Sequence, residues 1–190
     1  MYSTSRTGCL VFETKSFEDQ RGCFLEMFKL NVFQEAHLAV FGKEAPAFIQ
    51  SNLSISKANV IRGLHYQIKN SQGKFVSVVS GHAIDVVVDL REWSSTFGLW
   101  EAFELDRPSK SVYVPPGFAH GFLSKSDDTH FFYQVTDVYN KEAERGISPF
   151  DSDLSIDVWS QHRDRFIVNE KDMLGVSFRD AEKFNAEVAC

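Results

Sequence analysis

From about Phe48 onward the apolar residues fall at every second position, the period of a β-strand whose two faces meet different surroundings. The segment Ala83 to Leu90 puts Ile84, Val86, Val88 and Leu90 on one face and Asp85, Val87 and Asp89 on the other. Similar runs recur at Phe75 to Val79, Leu99 to Leu105, Ser111 to Val114 and Phe131 to Tyr139, parted by turn signals such as Ser80-Gly81 and Pro115-Pro116-Gly117. Short strands at this spacing predict a sandwich or barrel, since closure removes sheet edges that would otherwise template aggregation. One early segment has helical period instead. Asn31 is expected to cap it, Gln34 stands at the capping-box position, Phe33, Ala36, Leu38 and Val40 make its apolar face, and Gly42 ends it. Beyond Trp159 the chain turns polar, with short helical pieces expected between Lys171 and Phe184.

At 190 residues, with no repeat, low-complexity stretch or linker, the chain is expected to be one domain spanning residues 1–190. The 18 Phe, 5 Tyr and 3 Trp suit a β-rich core and a ring-lined pocket. A net charge of −6 offers no basic surface for a nucleic-acid backbone, so polymeric nucleic acid is excluded as a partner, while a few cations gathered in one cleft still suit a small phosphorylated ligand. Cys9, Cys23 and Cys190 show neither disulfide nor zinc spacing, which fits a reducing cytoplasm. No apolar run is long enough to span a bilayer, so no membrane is expected.

Polar groups gather in three segments: Asp19-Gln20-Arg21-Gly22 with Glu26, Arg62 to Gln67, and Pro115 to Gly121. Each contains Gly or Pro, as turns facing a cavity would. The spacing Pro115-x-Gly117-x-x-His120 resembles the second conserved motif of the cupin superfamily, where that His often binds a metal. The first motif would bring His-x-His and a following Glu. Here Gln67 stands two places after His65, and residues such as Ser71 and Gln72 occupy the Glu position, so no metal is expected.

Arg62-Gly63-Leu64-His65-Tyr66-Gln67, Gly73-Lys74-Phe75-Val76, Asp85 to Arg91, Thr96-Phe97-Gly98, Pro115 to Phe122 and Phe131-Phe132-Tyr133 follow one another in order. With Asp19 to Glu26, Thr136-Asp137-x-Tyr139-Asn140, Glu144-x-Gly146-Ile147 and Lys171-Asp172, this series resembles the dTDP-4-dehydrorhamnose 3,5-epimerase family over nearly the whole chain. The resemblance implies a mainly β fold, a cupin or jelly-roll β-barrel with a few short helices in the N- and C-terminal regions. It implies cofactor-free epimerisation of a dTDP-linked 4-keto-6-deoxysugar at C3 and C5. A ketone at C4 acidifies both carbons, so a base takes a proton to leave an enolate, and reprotonation from the opposite face inverts the centre.

Imidazole titrates near neutral pH and suits the base. The resemblance assigns that role to His65, with Asp172 as its carboxylate partner, Lys74 at the developing enolate oxygen and Tyr133 as proton donor. It further implies Arg21, Arg62 and Lys171 at the diphosphate, Glu26, Gln50 and Asn52 at the base and its sugar, and Tyr139 stacked on the ring. In that family the partner subunit completes the nucleotide site, so a homodimer is expected with Arg21, Phe24 and Glu26 contributed across it. His120 is either a second polar group at the sugar or a structural partner. The alternative for Arg21 and Arg62 is a structural ion pair, with Asp19 or Glu26 as partner. Gln134 and Ser77 depart from the family pattern, where Lys and Arg are frequent, and leave open a mono-epimerase acting at C3 or C5 alone. Other readings are a 3,4-ketoisomerase, a silent sugar-nucleotide binder and a metal-dependent cupin.

Overall fold

A computed structural model describes residues 1–160 and 165–185 of the chain. Two antiparallel sheets face each other as a jelly-roll barrel. The first, in the order β1-β2-β10-β7-β12-β5, contains β1 (Tyr2–Thr4), β2 (Leu10–Glu13), β5 (Gln50–Ser56), β7 (Lys74–Ser80), β10 (Lys110–Val114) and β12 (Thr129–Val135). The second, in the order β13-β6-β11-β8-β9, contains β6 (Ile61–Gln67), β8 (Ala83–Asp89), β9 (Trp100–Leu105), β11 (Phe118–Ser124) and β13 (Glu144–Gly146). A separate hairpin, β3 (Ser16–Asp19) with β4 (Gly22–Leu25), stands off both. The helices are α1 (Leu30–Phe41), α2 (Asp157–Ser160) and α3 (Glu170–Met173).

Three apolar layers follow from the two-residue period. Between the sheets lie Val76, Val78, Val87, Val112, Phe103, Phe118, Phe122 and Phe131. Outside the first sheet, Phe33 and Ala36 of α1 pack on Phe12, Phe75 and Tyr113. Outside the second, the chain after β13 lays Leu154, Ile156, Trp159, Ala181 and Phe184 over Leu64, Tyr66, Val86, Val88 and Leu90. Strand β8 thus has both faces buried, Val86 and Val88 outward under this cover and Val87 inward. Burial of each large apolar side chain contributes about 1.5–3 kcal/mol, so the cover is integral to the barrel wall.

Several expectations change. Helix α1 starts one residue before Asn31: Lys29 holds the cap position and makes no side-chain capping bond, while Gly42 closes the helix in left-handed geometry as expected. The last long strand stops at Val135 rather than Tyr139. The segments bearing His65 and His120 are strands, not turns, because alternate side chains point off a ladder without disturbing it. Their glycines do a different task. Gly63 has φ 111°, and a Cβ there would lie 2.6 Å from Gly121 Cα, while one on Gly121 would lie 2.5 Å from the Arg62 carbonyl. Strands β6 and β11 therefore approach too closely for any side chain at these positions. Cys9 and Cys23 are free thiols, and Cys190 lies outside the described residues. No described helix is long and apolar enough to cross a membrane.

Candidate active site

Three successive inward positions on β11, Phe118, His120 and Phe122, show how the site is built: the barrel interior is apolar except where a polar residue takes an inward place. His120 lies directly opposite His65 of β6, and paired residues project to the same face, so both imidazoles enter the interior side by side. Lys74 begins β7 on the facing sheet, and Asp85 enters from β8. Tyr133 of β12 lies opposite Asn52 of β5, with Gln50 two places along the same face, and Gln50 donates to Asn52 (2.8 Å).

His65 Nε2 lies 2.7 Å from Asp172 Oδ1, a contact spanning 107 residues. The side chain of Asp172 is 1% exposed. Its second oxygen accepts the Gly63 N–H (3.0 Å), and its own N–H donates to the Asn169 side chain that caps α3 (2.7 Å). Burial raises the Asp172 carboxyl, but the bonds from His65 and Gly63 outweigh it and hold the group below the usual carboxylate range. An ionised carboxylate only accepts, so the neutral form of His65 carries its proton on Nε2 and leaves Nδ1 as the base nitrogen. The His65 side chain is 31% exposed, which leaves it open to a ligand.

Lys74 is half-buried, and desolvation brings its ammonium down to about 8 despite the negative charges of Asp85 and Glu144. Burial raises the Tyr133 phenol, with Arg62 partly opposing, so Tyr133 holds a proton to give at neutral pH. Arg62 Nε donates to Ser56 Oγ (3.1 Å), which leaves the rest of its guanidinium for other acceptors. His120 Nε2 lies 2.6 Å from Asp85 Oδ1, and burial drives its imidazole down despite that carboxylate.

Glu144 is a site residue that motif reading left without a role. Its Oε2 accepts the Tyr139 hydroxyl (2.9 Å) and Lys171 Nζ, joining two of the expected substrate-binding residues at the mouth. Burial raises its carboxyl, but these donors hold it below the usual range. The signal was available in Glu144-x-Gly146, since Glu144 lies opposite Gln67 and Gly146 opposite His65.

Arg21, Phe24 and Glu26 are not brought into this cluster. They lie on and just after the β3–β4 hairpin, where exposed Arg21 pairs with Asp19 (2.6 Å) and Glu26 with Lys29 (2.7 Å). The departures are accounted for differently: Ser77 is buried and bonded to Ser111 (2.7 Å), and Gln134 is half-buried on β12. A cavity of about 810 Å³ lies elsewhere, between the end of α1 and the loops carrying Ser71 and Pro116. Among the described residues no group of three or more His, Cys, Asp or Glu is placed to hold a metal ion.

Comparison with known proteins identifies the family. Residues 3–180 match the family model described as dTDP-4-dehydrorhamnose 3,5-epimerase. The enzyme of that name from Methanothermobacter thermautotrophicus is 41% identical over 170 residues, covering 89% of each chain. The crystal structure of the Elizabethkingia anophelis enzyme superposes with a TM-score of 0.86 at 39% identity, covering 97% of this chain and 98% of that one. A Legionella pneumophila 3,5-epimerase in complex with dTDP-4-keto-L-rhamnose gives a TM-score of 0.85 at 34% identity, covering 99% of this chain and 96% of that one. On these matches the chain belongs to the dTDP-4-dehydrorhamnose 3,5-epimerase family.

Proposed function

We propose that the protein inverts C3 and C5 of dTDP-4-keto-6-deoxyglucose. The observation that carries this is His65 held by a buried, ionised Asp172, with Lys74 near the adjoining His120. His65 Nδ1 takes the proton α to the ketone, and Asp172 stabilises the imidazolium that forms. The electron pair left on carbon moves to the C4 oxygen, where the Lys74 ammonium offsets the new charge. The Tyr133 hydroxyl donates a proton to the opposite face, inverting the centre. Solvent then reprotonates the phenolate and takes the proton from His65, and the cycle repeats at the second carbon. Gln50, Asn52 and Arg62 bind the nucleotide, with Lys171, Tyr139 and Glu144 at the mouth.

Incubation with substrate in deuterated water, followed by NMR, tests this: deuterium is expected at both C3 and C5. Label at one carbon alone would reduce the activity to mono-epimerisation, and a new ketone at C3 would make it a ketoisomerase.

The active form in this reading is a homodimer. The hairpin exposes Phe17 and Phe24, 50% and 63% respectively, and β5 turns Leu53 and Ile55 outward at 53% and 55%. Apolar area of this kind on a projecting arm and an edge strand suits a partner subunit whose cleft receives Arg21, Phe24 and Glu26. The free thiols suit a cytoplasmic setting.

A further inference from the structure

Asp85 is the most deeply enclosed charge-bearing side chain near the site, fully buried on β8 with both neighbours on the ladder apolar. One oxygen meets His120 Nε2 at 2.6 Å, and the other, Oδ2, is buried with no hydrogen-bond partner. Leaving a carboxylate oxygen unsatisfied in a barrel interior costs about 1–3 kcal/mol, a cost that structural packing alone does not offset. An apolar residue of similar volume would pack as well among Val76, Val87 and Phe122. His120 is likewise buried, and Lys74 faces the pair from the opposite sheet.

We propose that Asp85 is a positioning residue for the reaction. It fixes the His120 ring with the Nε2 proton donated into the core and Nδ1 presented as a bare acceptor, and it sets a carboxylate toward Lys74 from the opposite sheet. This rests on the epimerase reading given above. The charged and titratable groups around the trio are few. Lys74 faces Asp85 of β8 and Glu144 of β13; His120 of β11 faces Asp85, Lys74 and His65 of β6; and Asp85 also faces the Cys9 thiol, which burial keeps protonated. Lys74's register neighbours Val114 and Val135 are apolar. With Glu144 already engaged by Tyr139 and Lys171, Asp85 is the anion of this set not bonded to a cation. The second His–Asp pair thereby differs from the first: His65 and Asp172 move a proton, whereas His120 and Asp85 hold a geometry and a charge.

Two measurements test this. In ¹⁵N-histidine-labelled wild-type protein, long-range imidazole NMR is expected to show His120 neutral with its proton on Nε2 from pH 6 to 9. A charged ring or an Nδ1 proton in that range would overturn the proposal whatever the enzyme's activity. In Asp85→Asn, which keeps shape and removes charge, kcat is expected to fall about tenfold or more with KM changed less than about threefold. The basic limb of its pH profile should move to lower pH as Lys74 loses its supporting anion. A variant that folds with an unmoved limb would limit Asp85 to structure. Absence of deuterium exchange in the wild type would refute the epimerase reading while leaving the His120 spectrum to decide the pair.

Discussion

His65 and His120 stand directly across from one another on β6 and β11, each with Nε2 against a carboxylate, at 2.7 Å and 2.6 Å. The partners come from different elements. Asp172 reaches His65 from a helix in the outer cover, where it is pinned by two further hydrogen bonds, and Asp85 reaches His120 from within the barrel. Neighbouring imidazoles with similar first contacts therefore have different surroundings, and environment rather than residue type divides their work.

Removing the Asp172 charge should disable the base without emptying the cleft. For Asp172→Asn we expect kcat to fall about 100-fold or more, because the imidazolium loses its stabilising anion and the tautomer is no longer enforced. Calorimetric binding of dTDP should stay within about threefold of wild type. A change confined to dTDP affinity would remove Asp172 from the proton-transfer machinery.

Lys74 links activity to pH and to stability with opposite signs. Its ammonium is brought down to about 8, so activity should decline as pH rises through that value. For folding, the unfolded chain binds the proton more tightly, so the penalty is fully present below about pH 8 and is relieved as pH rises toward the ordinary lysine value. Lys74→Met should therefore stabilise the protein by about 1–2 kcal/mol at pH 7 while abolishing turnover, as thermal melts and the exchange assay would report. A lower melting temperature would contradict the desolvation account.

Asp89 offers a contrast away from the chemistry. It is fully buried and accepts from the Arg91 side chain (2.8 Å to each oxygen), Ser94 (2.6 Å) and Thr96 (2.7 Å). Burial raises its carboxyl, but these donors more than reverse the effect, so its contribution is present above the ordinary Asp value and lost as pH falls through the lowered one. Asp89→Asn should cost about 2–4 kcal/mol in urea unfolding at pH 7, less near pH 3, with kcat unchanged.

Gly63→Ala should be severe despite its small size. The added methyl would collide with backbone atoms of β11, and φ of 111° disfavours any side chain. Because the same peptide donates to Asp172, the expected result is a loss of about 3 kcal/mol or more together with impaired exchange. Near-normal melting would show that β6 and β11 can separate at little cost.

The dimer reading predicts that Leu53→Lys with Ile55→Lys, two changes on the outward face of β5, yields monomer in sedimentation velocity. Activity should fall with it, since the partner's Arg21 and Phe24 would be lost from the cleft. An active monomer would dismiss the shared site.

Much of this is legible in the sequence. The alternation in Ala83 to Leu90 marked β8 because its two faces meet separate apolar layers. Lys74 and Tyr133 were marked by an ordered series of motifs rather than by periodicity. The cap of α1 was misread because Asn31 is a good capping residue in isolation, whereas the packing of Phe33 on Phe12 and Phe75 sets where the helix begins. Asp85 and Glu144 were passed over since a lone acidic residue reads as a solvated face, and only the third dimension shows it enclosed. The Asp172 pairing came from family resemblance, because no local pattern encodes a contact across 107 residues.

The outer cover also governs when the enzyme becomes active. His65, Lys74, Tyr133 and His120 all lie before residue 135, but the partner of His65 rides on α3, laid down with the layer that seals Leu64 and Tyr66. A nascent chain with every strand translated would own a cleft and a base without its anchor. Proton transfer would begin only as the last layer docks, so assembly of the wall and switching on of the chemistry coincide in biosynthesis.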